Sequence, residues 1–98
     1  MSHVQNYVYQ IRATRPGFAE GMTQAEKEAM SNHAGYLARL LAEGKLVMAG
    51  PCLDFAFGLA ILETESEEEA RRLMENDPAV VSGVMQAEFH PFKLSFSR

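Results

Sequence analysis

Two helix-start signals of the same kind divide the chain and limit how it can fold. Thr23 is followed three residues later by Glu26, and Ser66 is followed by Glu69, the spacing of a capping box. Behind the first signal, apolar residues recur at helical spacing as far as Gly44, a residue type that often ends helices. The sequence therefore predicts a long helix between residues 23 and 44 and a second helix after Ser66.

The segments around these helices have the patterns of β-strands. Residues 4–12 and 84–96 alternate between the two sides of a strand, and residues 45–49 and 55–64 are apolar runs rich in residues that favour strands. The second and third strands are close enough in sequence to form a hairpin. Because Pro91 cannot donate a ladder hydrogen bond, we expect the last strand to bend there or to lie at a sheet edge.

One further element precedes the last strand. Asp77-Pro78 is typical of an N-cap and first helical residue, and it predicts a short turn over residues 79–82 that ends at Gly83. The predicted order is β-α-β-β-α-β, the pattern of an α+β, ferredoxin-like sandwich with an antiparallel sheet. With 98 residues and no repeat or linker, we expect a single domain over residues 1–98.

This fold predicts a partner, because two helices cover only one face of a four-stranded sheet. The first and third strands carry apolar residues on both faces. We expect the uncovered face to include Val8, Val47, Ala49, Ala60 and Leu62. A second copy of the chain would cover such a surface, and the sequence therefore predicts a homodimer that packs sheet against sheet.

Charge and composition exclude several classes of partner. The formal charge of −4 gives no basic surface for nucleic acid or an anionic membrane, and no apolar run approaches the ~20 residues of a membrane span. Residues 1–5 lack the features of a signal peptide, and a lone cysteine forms no internal disulfide. We therefore expect a cytoplasmic protein whose partners are a small-molecule ligand and a second copy of itself.

Two residues are candidates for chemistry. His33 lies one turn after Met30 and one turn before Leu37, at the border of the apolar stripe, where an imidazole can serve as acid or base. The alternative is a histidine at the core edge that bonds a backbone carbonyl. Asp77 has the position of an N-cap, but one carboxylate oxygen can cap while the other orients an imidazole.

The end of the second strand is a candidate substrate-binding region. Gly50-Pro51 either makes a turn or lets backbone approach a ligand closely, and Asp54 offers a carboxylate near the same rim. Cys52 has no flanking base and is not expected to act as a nucleophile. The histidines, which are His3, His33 and His90, show no metal-ligand spacing, and no phosphate-binding loop is present. We expect neither a metal nor a cofactor.

Several stretches of the chain resemble the YCII-related (YciI-like) family. The resemblance covers nearly the whole chain and implies a ferredoxin-like domain that forms a dimeric α/β barrel, similar to muconolactone isomerase and small monooxygenase-type domains. The matching stretches are His33-Ala34-Gly35-Tyr36-Leu37, the run from Glu43 through Gly50-Pro51, Glu68-Glu69-Ala70, Asp77-Pro78 with Gly83, and Pro91-Phe92.

The resemblance also implies an active site in which a His and an Asp meet in one pocket. The matching positions are His33 and Asp77, and a few members resemble dehydrohalogenases or lyases that act on small ring compounds. We therefore expect a cofactor-independent enzyme in which a catalytic His33–Asp77 dyad transfers a proton on a small cyclic or aromatic substrate, in a lyase, dehydrohalogenase or isomerase reaction.

Three alternatives remain open at this point. Asp54 competes with Asp77 as the carboxylate that faces His33. The chain is also compatible with a non-catalytic dimeric module that binds a small molecule or assists a partner protein. A haem- or oxygen-dependent monooxygenase is suggested by related folds alone, and a fold does not by itself establish a function.

Overall fold

The protein forms a four-stranded antiparallel sheet with three helices packed on one face. A computed structural model describes residues 4–98, so that His3 lies outside the described residues. The strand order in the sheet is second, third, first, fourth. In chain order the elements are β1 (Gln5–Ala13), α1 (Gln24–Ala42), β2 (Leu46–Pro51), β3 (Gly58–Thr64), α2 (Glu67–Glu75), α3 (Pro78–Val81) and β4 (Met85–Phe92). The ferredoxin-like α+β prediction is confirmed.

Helix α1 begins and ends as its sequence predicts. The Thr23 hydroxyl accepts from the Glu26 N–H at 3.1 Å, and the Glu26 carboxylate accepts from the Thr23 N–H at 2.8 Å. The predicted capping box is therefore complete. Gly44 follows the helix with a φ of 77°, a left-handed conformation in which glycine meets no Cβ penalty.

The two shorter helices begin at side-chain caps. The Ser66 hydroxyl accepts from the Glu69 N–H at 3.1 Å, whereas the Glu69 carboxylate accepts from the Glu65 N–H at 3.4 Å. At α3, a carboxylate oxygen of Asp77 accepts from the Ala79 N–H at 2.9 Å. The predicted short turn after Asp77 is thus present, and it places this carboxylate in the interior, where Asp77 has no exposed surface.

The core lies between the helices and one face of the sheet. Tyr7, Tyr9 and Ile11 point from the central strand β1 towards the helices, since alternate residues of a strand share a face. Tyr36 and Leu40 of α1 pack onto this face, together with one small residue from each of the other helices. The helices therefore cover one face of the sheet and leave the other open.

The residues on the open face differ in part from the sequence prediction. Ala60 and Leu62 were expected there, but they are 2% and 0% exposed on the covered face, where they pair with Tyr9 and Tyr7. Ala49 pairs with Ala60 and shares its face. Because both faces of β3 are apolar, its sequence does not indicate which residues turn towards the helices; the register with β1 decides it.

The open face is apolar at its centre and polar around it. Val8 lies on this face, as its sequence pattern predicts, and pairs there with Ile61. Val47 lies at a register irregularity of β2 and is 36% exposed. Towards one end, the Arg12 guanidinium lies 5.4 Å from the centre of the Phe57 ring, a cation–π contact.

Two strands are shorter than their sequence patterns indicate. β3 begins at Gly58, not at residue 55, because residues 52–57 form a loop closed by a 2.8 Å bond from the Cys52 N–H to the Phe57 carbonyl. β4 ends at Phe92 because its partner β1 begins at Gln5 and offers no further backbone. β4 is an edge strand, which confirms the prediction made from Pro91. No helix among residues 4–98 has the length and apolar character needed to cross a membrane.

Candidate active site

His33 and Asp77 meet where α1 contacts the start of α3. The His33 Nδ1 atom lies 2.8 Å from each carboxylate oxygen of Asp77. Asp77 is fully buried, and 14% of the His33 side chain is exposed. The structure therefore brings together the two residues that were predicted as catalytic, 44 positions apart in the sequence. Their catalytic roles stay predictions.

The Asp77 carboxylate has two further hydrogen-bond donors. The Tyr9 hydroxyl donates to Oδ2 at 2.7 Å, and the Ala79 N–H donates to Oδ1 at 2.9 Å. One carboxylate thus caps α3 and contacts the imidazole of His33 at the same time. The two roles that its sequence position suggested coexist.

Tyr9 is a site residue that the sequence reasoning missed. It is 1% exposed, and burial raises the pKa of its hydroxyl, with a further rise from the nearby charge of Asp77. Tyr9 therefore stays protonated and donates to the carboxylate. The sequence feature that could have pointed to Tyr9 is its inward position on a central strand, because a buried tyrosine hydroxyl needs a hydrogen-bond partner. The strand pattern alone does not identify that partner.

Three different elements hold the side chains of this cluster. Tyr9 lies on β1, where it pairs with Ala60 on one side and with Phe89 on the other. His33 lies in the middle of α1, and Asp77 is fixed by its capping bond at the first turn of α3. Because each element is packed in the fold, the cluster is held in place without a ligand.

The second ring nitrogen of His33 is accessible. Within residues 4–98, Nε2 has no hydrogen-bond partner, and no fully buried side-chain nitrogen or oxygen lacks one. Nε2 is therefore not buried, and His33 lines the adjoining cavity. Since an ionised Asp77 accepts a hydrogen bond from Nδ1–H, the neutral ring carries its free lone pair on Nε2.

An apolar cavity of about 680 Å³ opens beside His33, between α1 and strands β1, β2 and β3. Gly50 and Pro51 line it, as the substrate-binding prediction requires, although contact with a substrate stays a prediction. Among the described residues that line it, only Tyr9 and His33 have polar side chains. A ligand in this cavity would meet one accessible imidazole on otherwise apolar walls.

Asp54 lies apart from this cluster. Its carboxylate accepts from the Ala56 N–H at 3.0 Å within the exposed loop after β2, and it is not among the described residues that line the cavity. Phe55 of the same loop does line the cavity. The carboxylate that faces His33 is therefore Asp77, and the substrate-binding role expected for Asp54 stays a prediction.

The described residues offer no arrangement suited to a metal ion. No group of three or more His, Cys, Asp or Glu side chains is placed to hold one within residues 4–98. His90 lies on β4, 3.3 Å from the carboxylate of Glu88, and both side chains are exposed. The expectation that no cofactor is needed stays a prediction.

Two comparisons relate the chain to known proteins. It is 37% identical over 68 residues to the uncharacterized protein YjpA of Bacillus subtilis (strain 168), an alignment that covers 69% of this chain and 80% of YjpA. Its structure is similar to that of TftG, the 5-chloro-2-hydroxyhydroquinone dehydrochlorinase of Burkholderia phenoliruptrix AC1100, solved in complex with 2,5-dihydroxybenzoquinone. That similarity has a TM-score of 0.66 with 27% identity and covers 89% of this chain and 93% of TftG.

The family model agrees with the resemblance in the sequence. The model of the YCII-related domain matches residues 7–93, which contain most of β1, both His33 and Asp77, and the whole of β4. The match thus includes every residue of the polar cluster and every residue that lines the cavity. This chain belongs to the YCII-related family.

Proposed function

We propose that this protein is a cofactor-independent enzyme that transfers protons on small cyclic or aromatic compounds. The observation that carries the proposal is the His33 imidazole. Its Nδ1 is hydrogen-bonded to the buried Asp77, and its Nε2, beside an apolar cavity, has no hydrogen-bond partner among residues 4–98. A positioned base of this kind typically contributes ~100- to 10,000-fold in rate.

In this proposal His33 is the catalytic residue, and Asp77 and Tyr9 are positioning residues. The Asp77 carboxylate keeps the hydrogen of the neutral ring on Nδ1, so that Nε2 is the basic atom. When Nε2 takes up a proton, the carboxylate stabilises the imidazolium. Tyr9 holds the carboxylate oxygen Oδ2 through its 2.7 Å hydrogen bond.

The proposed reaction begins when Nε2 removes a proton from the substrate. In the dehydrochlorination of a chlorinated hydroquinone, that proton comes from a hydroxyl group, and a proton is added to the ring carbon that bears the chlorine, which gives the keto tautomer. Loss of the second hydroxyl proton then forms the second C=O and a new ring double bond as chloride departs with its bonding pair, so that the sum is a quinone and HCl. In an isomerisation, a proton taken from one carbon returns to another carbon. Both reactions leave His33 neutral after one cycle, once the imidazolium has given its proton to solvent or to the product.

The comparison with TftG supports an elimination on a ring. TftG is described as a dehydrochlorinase of a chlorinated hydroxyhydroquinone, and its bound molecule is a quinone ring. The apolar walls of the cavity in this chain suit a ring and exclude water from the base. We therefore propose dehydrohalogenation as the first reaction to test, with isomerisation as the second.

A homodimer is part of the same proposal. The open face of the sheet carries apolar side chains that are still partly or largely exposed, namely those of Val8, Leu59 and Met48, and a second copy would cover them. Light scattering is expected to give the mass of two chains. A monomer at micromolar concentration would contradict the dimer without affecting the proposed chemistry.

The enzymatic proposal is tested with chlorinated hydroquinones and hydroxyhydroquinones as probes. We expect chloride release with the wild-type protein and none above background with His33→Gln, measured with a chloride-selective electrode. For an isomerase, NMR in D₂O would show that a carbon-bound hydrogen of the substrate exchanges with deuterium from the solvent. If the wild-type protein catalyses neither process with any member of the panel, the proposal of proton-transfer chemistry on such rings is wrong.

A non-catalytic binding module is the second candidate, and the capping bond from Ala79 to Asp77 favours it. In that case the cluster stabilises α3 and has no chemical role. Thermal denaturation of His33→Gln separates the two candidates: a large loss of stability without loss of ligand binding supports the module. Near-wild-type stability with loss of turnover supports the enzyme.

A further inference from the structure

We infer that the cavity beside His33 binds uncharged aromatic ligands and rejects carboxylates of the same shape. This inference rests on the proposed function for its site, and it adds the charge and the ring character of the ligand. It follows from three features: the cavity wall, the nearest formal charge, and the side chains that a ring would touch.

No lysine or arginine is among the described residues that line the cavity. Two of the nearby arginines are engaged elsewhere. The Arg15 guanidinium makes two 2.7 Å hydrogen bonds to Glu26, and that of Arg39 lies 5.2 Å from the centre of the Tyr36 ring. An anionic ligand would therefore leave water without gaining an ion pair, which is costly in an apolar cavity.

The nearest formal charge behind the cavity is itself negative. Asp77 is in contact with His33, and its other donors are Tyr9 and the Ala79 N–H, none of which carries a fixed positive charge. Since His33 Nδ1 lies 2.8 Å from Asp77, a carboxylate hydrogen-bonded to Nε2 would lie about 8 Å from this buried charge, across the imidazole ring. At an effective dielectric constant near 20, repulsion at that distance corresponds to about 30-fold in affinity.

The apolar side chains of the wall suit an aromatic ring. Four of the six methionines of the chain line the cavity, namely Met22, Met30, Met48 and Met85, together with Phe18 and Phe55. Thioethers are polarizable, adapt their rotamers and make favourable contacts with ring edges. A volume of about 680 Å³ lies within the range of ligand pockets and leaves room for more than a single ring.

The experiment compares 2-naphthamide with 2-naphthoate, which have the same ring and differ in charge. Affinities are measured by calorimetry at mildly alkaline pH, where naphthoate is ionised. We expect the wild-type protein to bind the amide at least about tenfold more tightly. Naphthoate binding that is equal or tighter would overturn the inference, and so would the failure of both probes to bind.

A matched pair of variants tests the electrostatic cause. Leu41 lines the cavity and is 56% exposed, so Leu41→Lys adds a cation at the wall without burying it. Val81 is 68% exposed and lies outside the cavity lining, so Val81→Lys makes the same change in net charge elsewhere. We expect Leu41→Lys to narrow the gap between the two probes several-fold and Val81→Lys to leave it unchanged. Equal effects of the two variants would overturn the inference.

A second lysine variant at the cavity wall keeps the test decisive if Leu41→Lys does not fold. Met22 is 40% exposed and lines the cavity from the loop before α1, and Met22→Lys is expected to change the selectivity in the same direction. The outcome is separable from that of the proposed function, because neither naphthalene probe needs to react. If the wild-type protein turns over a substrate but binds the amide and the carboxylate equally well, only the inference about ligand charge is wrong. If it prefers the amide but catalyses no reaction, only the proposal of an enzyme is wrong.

Discussion

Two helices of this protein begin at carboxylates that are largely or wholly buried, and the partners of these carboxylates differ. Glu26, 9% exposed, caps α1 and is held by the Arg15 guanidinium through two 2.7 Å bonds. Asp77, 0% exposed, caps α3 and contacts His33 at 2.8 Å. Arginine keeps its positive charge at all ordinary pH values, whereas histidine gains and loses a proton near neutrality.

This difference in partner distinguishes Glu26, a structural carboxylate, from Asp77, which belongs to the candidate site. Hydrogen bonds from Arg15, and next from the Thr23 N–H, lower the pKa of Glu26 to about 2. Its partner Arg15 is a permanent cation and cannot act as a base near neutral pH. The pair formed by Asp77 and His33 leaves Nε2 accessible from an apolar cavity, which is the arrangement that the proposed proton transfer needs.

The largest expected effect is that of Asp77→Asn on turnover. An amide can still cap α3, but it can donate to Nδ1, which moves the hydrogen of the neutral ring to Nε2 and removes the base. Loss of the correct tautomer costs on the order of 10³- to 10⁴-fold in other enzymes that use a carboxylate–imidazole pair. Rates of chloride release from the chlorinated hydroquinone found to react would measure it.

Glu26→Gln is the control for that experiment, because it changes the other buried cap by the same chemical step. We expect its turnover to stay within about twofold of the wild type, since Glu26 does not line the cavity. Similar losses of rate in the two variants would mean that a carboxylate cap stabilises the fold and that Asp77 has no special role in the reaction.

Asp77→Ala is expected to give the second-largest effect, this time on stability. It removes the α3 cap and leaves the Tyr9 hydroxyl and the Ala79 N–H buried without their acceptor. The lost cap, whose donor is the Ala79 N–H, costs ~1 kcal/mol and the unsatisfied Tyr9 hydroxyl ~1–3 kcal/mol, so we expect a loss of about 2–4 kcal/mol in the free energy of unfolding. Urea denaturation measures it; a loss below about 1 kcal/mol would contradict the buried network.

Most of the fold could be predicted because its signals are local. Thr23 and Glu26 predict the start of α1 to the residue, since a capping box involves only four neighbouring positions. The faces of β3 could not be predicted, because Ala60 and Leu62 belong to a run that is apolar on both sides. Only the pairing with β1, a contact between residues distant in sequence, decides which side is buried.

The candidate site divides in the same way. His33 and Asp77 were identified from a helical stripe, a capping position and the resemblance to a family. Tyr9 was not, because its hydroxyl reaches an acceptor 68 positions away, and no local pattern records such a contact. Asp54 shows the converse: its closeness in sequence to Gly50-Pro51 does not place it among the described residues that line the cavity, and its substrate-binding role stays a prediction.

Tyr9→Phe is expected to have a smaller effect on stability, about 1.5–3 kcal/mol, the contribution of a hydrogen bond to a charged group. The variant also changes the response to alkali. The folded state raises the pKa of Tyr9 above its ordinary value of 10, so its contribution is complete below about pH 10 and is lost as the pH rises further. Urea midpoints should therefore fall more steeply above pH 10 in the wild type than in Tyr9→Phe. Parallel slopes would contradict the buried neutral hydroxyl.

The smallest expected effect concerns Glu26 and acid. Its pKa is lowered from 4.5 in the unfolded chain to about 2 in the folded one, so its contribution is present above about pH 4.5 and is lost as the pH falls towards 2. Glu26→Gln cannot titrate, and the difference in urea midpoint between it and the wild type should shrink over that interval. If the urea midpoint of the wild type stayed above that of Glu26→Gln by a constant amount down to pH 2, the Arg15 ion pair would contribute nothing to stability. The contrast between Glu26 and Asp77 would then rest on geometry alone.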